Sequence, residues 1–138
     1  MIIGIGTDIV DIERIEKVLN RFGERFVRRV FTAEERARAA QSATPAAVYA
    51  KRWAAKEACW KALGGGSKQG IKWHDFVVTN AAHGEPVITL NGFAATHLAA
   101  QVGSGQTAHI RVSISDERRM VVAFVVISVD PKIPLNLA

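Results

Sequence analysis

At 138 residues the chain has length for one domain around one core, and 49% apolar with 22% charged residues is the balance of a water-soluble globular protein. No apolar run approaches the roughly 20 residues that cross a bilayer, so a helical membrane span is not expected. The formal charge of +5 favours acidic partners, whether nucleic acid, polyphosphate or acidic protein, and says nothing about fold.

Residues 2–8 read as a short apolar strand with two glycines, ending in Asp8. Asp11 can cap a helix whose apolar positions, Ile12, Ile15, Val18, Leu19 and Phe22, recur near every 3.6 residues, and Gly23 breaks or bends it. Thr32-Ala-Glu-Glu35 fits a capping box, which starts a further helix near Ala33. Thr44-Pro45 opens a longer helix that runs to Leu63 and stops at Gly64-Gly65-Gly66. Strands follow at 76–79 and 87–90, joined through His83-Gly-Glu-Pro86, and Asn91-Gly92 leads into a helix over 93–102. The segment 109–115 alternates apolar and polar residues as a half-buried strand does, Asp116–Arg119 is a charged turn, and 120–129 is a nearly continuous apolar strand. The pattern predicts an α+β domain over residues 1–130, its antiparallel strands mostly C-terminal, with a loose tail at 131–138. The start lacks the basic stretch of a secretory leader, and the single cysteine, Cys59, suits a reducing cytoplasm.

The long helix carries the most chemistry. Arg52 and Lys56 share one side, while Glu57 and Lys61 lie roughly 140 to 180 degrees further round, with Trp53 and Trp60 between the two pairs. Ala54, Ala55, Ala58 and Ala62 make the remaining side small enough to press against a sheet. A hard divalent cation takes oxygen ligands, often one or two carboxylates completed by water and substrate phosphate. Asp8 and Glu57 could supply the carboxylates if the strand end meets the helix; Arg52, Lys56 and Lys61 could neutralise phosphate oxygens. The bland alternatives are a turn aspartate and a surface ion pair. Gly4-Ile-Gly-Thr-Asp8 is not a dinucleotide-binding loop, because it has no third glycine and no βαβ unit behind it.

Taken together, Ile3-Gly-Ile-Gly-Thr-Asp-Ile-Val-Asp-Ile-Glu-Arg-Ile15, Phe31-Thr-Ala-Glu-Glu35, Arg52-Trp-Ala-Ala-Lys-Glu-Ala58, Lys61-Ala-Leu-Gly64, Gly84-Glu-Pro86 and Val112-Ser-Ile-Ser115 resemble the holo-acyl-carrier-protein synthases, the short bacterial type of the 4′-phosphopantetheinyl transferases. The resemblance runs from residue 2 to about 129, with the segments in the family's order. It implies that family's fold, with N-terminal helices on a mostly antiparallel sheet, and transfer of phosphopantetheine from coenzyme A to a serine of an acyl carrier protein in fatty acid biosynthesis. By similarity Asp8 and Glu57 hold Mg²⁺, while Lys61 contacts the phosphate where charge develops and can protonate the leaving group. Arg52, Lys56 and Gly64 line the nucleotide end, and the serine proton goes to Glu57 or to water. The resemblance also implies a homotrimer with active sites between subunits, and docking of the acidic carrier on a basic first helix through Arg14, Arg21 and Arg25.

One departure stands out. Where the family carries histidine after the Ser-Ile-Ser segment, this chain has Asp116 and then Glu117, two acids where a cation is expected near the nucleotide phosphates. Either the turn points elsewhere, or Arg118 or Arg119 takes over, or coenzyme A binds less tightly. His74, His83, His97 and His109 have no metal-ligand spacing. An inactive binding relative, a nucleic-acid binder using the same arginines, and another polyphosphate enzyme with the same carboxylates are the competing readings. No nucleic-acid-binding motif supports the second, and none of them accounts for the whole ordered set of segments.

Overall fold

The helical spacing and the strand alternation are both realised; the first four strands are longer than expected, the last has its expected bounds, and the first helical region is broken at Gly23 as expected. The computed structural model describes residues 1–65 and 70–131; the expectations for Gly66 and for the tail at 132–138 fall outside those residues. In chain order the elements are β1 (Ile2–Asp11), α1 (Ile12–Phe22), α2 (Glu24–Val30), α3 (Ala33–Ala40), α4 (Pro45–Ala62), a 3-10 turn (Trp73–Asp75), β2 (Phe76–Asn80), β3 (Pro86–Leu90), α5 (Gly92–Ala99), β4 (Ala108–Glu117) and β5 (Met120–Val129).

The expected caps are in place. Asp11 accepts from the Glu13 amide at 2.8 Å. Thr32 Oγ1 accepts from the Glu35 amide, and Glu35 Oε1 accepts from the Thr32 amide at 2.8 Å, which completes the capping box. Gly23, at φ +50°, stops α1 and lets α2 start at once in a new direction. The charged turn is shorter than expected: Asp116 and Glu117 belong to β4, and only Arg118 and Arg119 turn the chain into β5.

β1, β5 and β4 form an antiparallel sheet in that order, and β2 pairs with β3 in a separate hairpin. α4 packs on one face of the three-stranded sheet, mainly across β1 and β5. From β5 the buried residues are Val121, Ala123, Val125, Ile127 and Val129; from α4 they include Ala50, Ala54, Ala55, Ala58, Cys59 and Ala62. On β1 the matching face is Gly4, Gly6, Asp8 and Val10. A Cβ on Gly4 would sit 2.0 Å from the Ala62 carbonyl oxygen, and one on Gly6 would sit 1.9 Å from that of Ala58. These glycines therefore serve helix–strand contact, backbone against backbone, and no substituent larger than hydrogen fits.

The prediction is direct. Gly6→Ala must push β1 off α4, because the atoms it meets are main chain and cannot rotate away. It should cost about 3 kcal/mol of stability in urea unfolding, at the upper end of overpacking effects.

Candidate active site

β1 alternates, so the face that carries Gly4 and Gly6 continues to Asp8, and the strand delivers this acid to the flank of α4 where Glu57 and Lys61 emerge. Lys61 Nζ stands 3.1 Å from Asp8 Oδ1 and donates to the Thr7 carbonyl oxygen at 3.0 Å. The lysine side chain is 46% exposed, that of Asp8 only 9%. Asp8 Oδ2 is buried and, among the described residues, receives no hydrogen bond from an N–H group; only the Glu57 carboxyl, when it carries a proton, can donate to Asp8. Burial, followed by hydrogen bonding to Asp8 and repulsion from its charge, raises the Glu57 pKa from 4.5 to about 7; Lys61 and Arg14 offset this only in part. The two acids predicted to meet do meet, in a cavity of about 190 Å³ whose walls include Arg14, Val18, Phe26 and Trp53.

This donor set suits a hard divalent cation. A buried carboxylate oxygen lacks a partner, and the neighbouring carboxyl resists ionising until a positive charge joins it. Among the described residues no three histidine, cysteine or acidic side chains gather, so the protein would hold such an ion by two carboxylates and leave its other positions to phosphate and water.

The predicted cationic residues separate into different settings. Arg52 is 5% exposed; its Nη2 donates to Asn80 Oδ1 at 2.7 Å while Nε is buried without a partner among the described residues. It lines a cavity of about 260 Å³ with Arg38, Gln41 and Asn80, and also Glu34 and Glu35. Lys56, expected beside it as a ligand contact, is fully buried and donates to the carbonyls of Val30 and Trp73, while its Nζ lies 2.7 Å from Glu35 Oε1. Burial lowers its pKa and the Glu35 charge opposes that shift. Gly64 is exposed just past the end of α4 at φ +106°, where only glycine turns the chain freely. Arg14, Arg21 and Arg25 are all exposed and form no ion pair among the described residues; Arg21 lies over the Phe22 ring at 5.1 Å. Arg28, by contrast, is tied to Glu24 at 2.9 Å.

Two residues acquire a role that the sequence reading did not give them. Lys51 Nζ lies 3.4 Å from Asp116 Oδ1, so the acid expected to stand uncompensated is matched by a cation from α4. Arg119 is engaged with Glu16 at 2.7 Å. Glu35, read only as a helix cap, also binds the Val78 amide at 2.9 Å through Oε2 and pairs with Lys56. Neither cross-chain pairing has a signal in local spacing: 65 positions separate Lys51 from Asp116.

The α+β fold thus brings two acids and a lysine to the junction of a strand end and a helix flank. The sequence pattern of the 4′-phosphopantetheinyl transferase superfamily matches residues 4–123. A holo-acyl-carrier-protein synthase from Cereibacter sphaeroides is 54% identical over 95% of this chain and 96% of its own length. One from Rhodopseudomonas palustris is 55% identical over 95% and 92%. The crystal structure of the Neisseria meningitidis enzyme of that name superposes with a TM-score of 0.82 at 37% identity, covering 93% of this chain and 99% of that one. The Helicobacter pylori enzyme, solved in complex with coenzyme A, superposes with a TM-score of 0.72 at 31% identity over 90% and 99%. The chain belongs to the 4′-phosphopantetheinyl transferase superfamily, among its holo-acyl-carrier-protein synthases.

The Asp8–Glu57 contact has a stability cost that can be measured. Since the folded pKa of Glu57, about 7, lies above its ordinary 4.5, the folded state holds a proton that the unfolded chain has released, and stability is lost as pH rises through that window. Glu57→Gln should therefore raise the stability of the metal-free protein above pH 7 by on the order of 1 kcal/mol, a figure discounted for solvent screening. The gain should shrink towards pH 4.5 in thermal melts.

Proposed function

We propose that the chain transfers the 4′-phosphopantetheine of coenzyme A to a serine of an acidic apo acyl carrier protein, with Asp8 and Glu57 as the ligands of Mg²⁺. The observation that carries this reading is the meeting of the two carboxyls in one cavity beside Lys61, with an orphaned oxygen on Asp8. When bound, the ion would draw charge from the pyrophosphate and stabilise the departing adenosine 3′,5′-bisphosphate. The remaining work falls to side chains. The carrier serine oxygen bonds to the phosphorus bearing pantetheine, and the pyrophosphate P–O bond breaks. Its electron pair leaves with adenosine 3′,5′-bisphosphate. We assign the serine proton to Glu57 or to a water beside it. Lys61, exposed enough to turn from Asp8 to a ligand, is assigned to the phosphate oxygens and to protonation of the leaving group.

The nucleotide end is assigned to Arg52 and Gly64. Arg52 lines a cavity with Arg38 and Asn80, and a guanidinium whose Nε has no partner among the described residues is suited to a phosphate. Lys51 meets the charge of Asp116, so the departure from the family's histidine need not leave an unpaired acid.

Arg14, Arg21 and Arg25 are assigned to the carrier, since unpaired cations on α1 and α2 beside the cavity complement an acidic partner. The outer face of the three-stranded sheet exposes Ile5 (62%), Ile9 (63%), Val122 (40%) and Phe124 (44%), which supports self-association and the trimer of the family. We place the domain at residues 1–130 and the protein in the cytoplasm, where one buried cysteine is at home. Among the described residues no helix is long and apolar enough to cross a membrane.

Intact-mass spectrometry of apo carrier incubated with the protein, coenzyme A and Mg²⁺ tests the whole reading. The carrier should gain one phosphopantetheine, and the gain should vanish with EDTA or with Asp8→Ala. No gain across several carriers would instead point to an inactive relative that only binds. Arg25→Glu should raise KM for the carrier at least tenfold and leave that for coenzyme A within twofold; equal effects on both would remove the docking assignment.

A further inference from the structure

Lys56 stands furthest from its expected setting. It is fully buried, its relative exposure 0%, and so nearly is Glu35 at 1%. Its ammonium has three N–H bonds and three partners: the Val30 carbonyl at 2.7 Å, the Trp73 carbonyl at 3.0 Å and Glu35 Oε1 at 2.7 Å. The Phe31 ring lies below it at 5.5 Å. Glu35 is just as fully used, by the amides of Thr32 and Val78 as well as by Lys56. No hydrogen on Lys56 is left for a phosphate.

What the pair joins is specific. Val30 is the last residue of α2, Thr32 caps α3, Trp73 opens the 3-10 turn, and Val78 lies in β2. All four are fastened to α4 at the residue before Glu57. The same place is a wall of aromatic rings: Phe26 of α2 meets Trp53 of α4 at 6.1 Å, and Trp53 meets Trp73 at 4.8 Å. Arg25, one residue before Phe26, is thus referred to Glu57 through a buried ionic clamp. An apolar pair of similar volume would fill the space, but it would not hold two carbonyls and two amides at set distances.

We propose that the Lys56–Glu35 pair is a positioning device that fixes α2, with its carrier-docking Arg25, against the Asp8–Glu57 pair, and that Lys56 is not a coenzyme A contact. The inference rests on the docking reading above. A docked carrier must bring its serine within reach of the carboxyls, and a displacement of about 1 Å is enough to cost two orders of magnitude in rate.

The test is the double variant Lys56→Met/Glu35→Met, which removes both charges and leaves neither buried alone. Coenzyme A with Mg²⁺ is titrated by calorimetry, and transfer is followed with carrier varied. The dissociation constant for coenzyme A should stay within twofold at native stoichiometry, while kcat/KM for the carrier falls at least 30-fold. A parallel loss of coenzyme A affinity would make Lys56 a ligand contact and overturn the proposal. So would carrier kinetics within twofold of native. If the double variant does not fold, Lys56→Gln/Glu35→Gln also removes both charges while keeping an amide donor for a carbonyl and an oxygen acceptor for a main-chain amide, and the same split is expected with a fall of 3- to 10-fold; its absence is equally decisive. Failure of the docking reading itself shows separately, as an Arg25→Glu variant with native KM for the carrier.

Discussion

The site depends on a contact in which one partner has no side chain. Along β1 the inward positions are Gly4, Gly6 and then Asp8; along α4 they include Ala62, Ala58 and Ala54. Two residues of strand rise about 6.7 Å and four residues of helix about 6 Å, so glycines two apart and alanines four apart keep step when the two elements lie along each other. Gly4 meets the Ala62 carbonyl and Gly6 that of Ala58. The first inward position after the glycines is the carboxylate. Asp8 reaches Lys61 and Glu57 because nothing upstream of it holds strand and helix apart.

That intimacy gives α4 several environments within ten residues. Its alanine side is buried under the sheet. Toward α3 and β2 it buries Lys56 and Arg52, the first saturated and the second with a donor to spare. Toward α1 it presents Glu57 to a cavity, and Lys61 to the Asp8 carboxylate beside it. Three cations of one helix thus differ by how much of their hydrogen-bonding capacity the fold has already used. Lys56 has none left, Arg52 has Nε, and Lys61 keeps an exposed ammonium that can change partners. Charge alone does not separate them; their uncommitted N–H bonds do.

Much of this was legible in the sequence where the physics is local. The Asp11 cap, the Thr32–Glu35 box, the Pro45 start and the glycine stop of α4 each involve groups within a few residues of one another, and each stands as read. The antiparallel C-terminal strands followed from alternation. The carboxylate pair was readable as a possibility and became specific only through resemblance, since nothing local says that a strand end and a distant helix meet. What stayed hidden is non-local. Gly4 and Gly6 read only as two glycines in a strand until the atoms they would strike are known. Glu35 satisfies its cap so well that a second, buried partner leaves no trace in spacing. Asp116 read as an uncompensated acid because Lys51 is far away in the chain, and Lys56 read as a ligand because lysine beside an acid on a helix is usually exposed.

The aromatic wall has a spectroscopic consequence. The chain has three tryptophans, and all of them stand on this side of α4: Trp73 lies 4.8 Å from Trp53 and 6.2 Å from Trp60, ring centre to ring centre. At such separations excitation passes among the indoles faster than it is emitted, so they glow as one chromophore. Trp53 also borders the cavity of Asp8 and Glu57. Intrinsic fluorescence from this protein is therefore a local signal, reporting what happens at the junction of α4, α2 and the 3-10 turn, and nearly blind to the far side of the sheet.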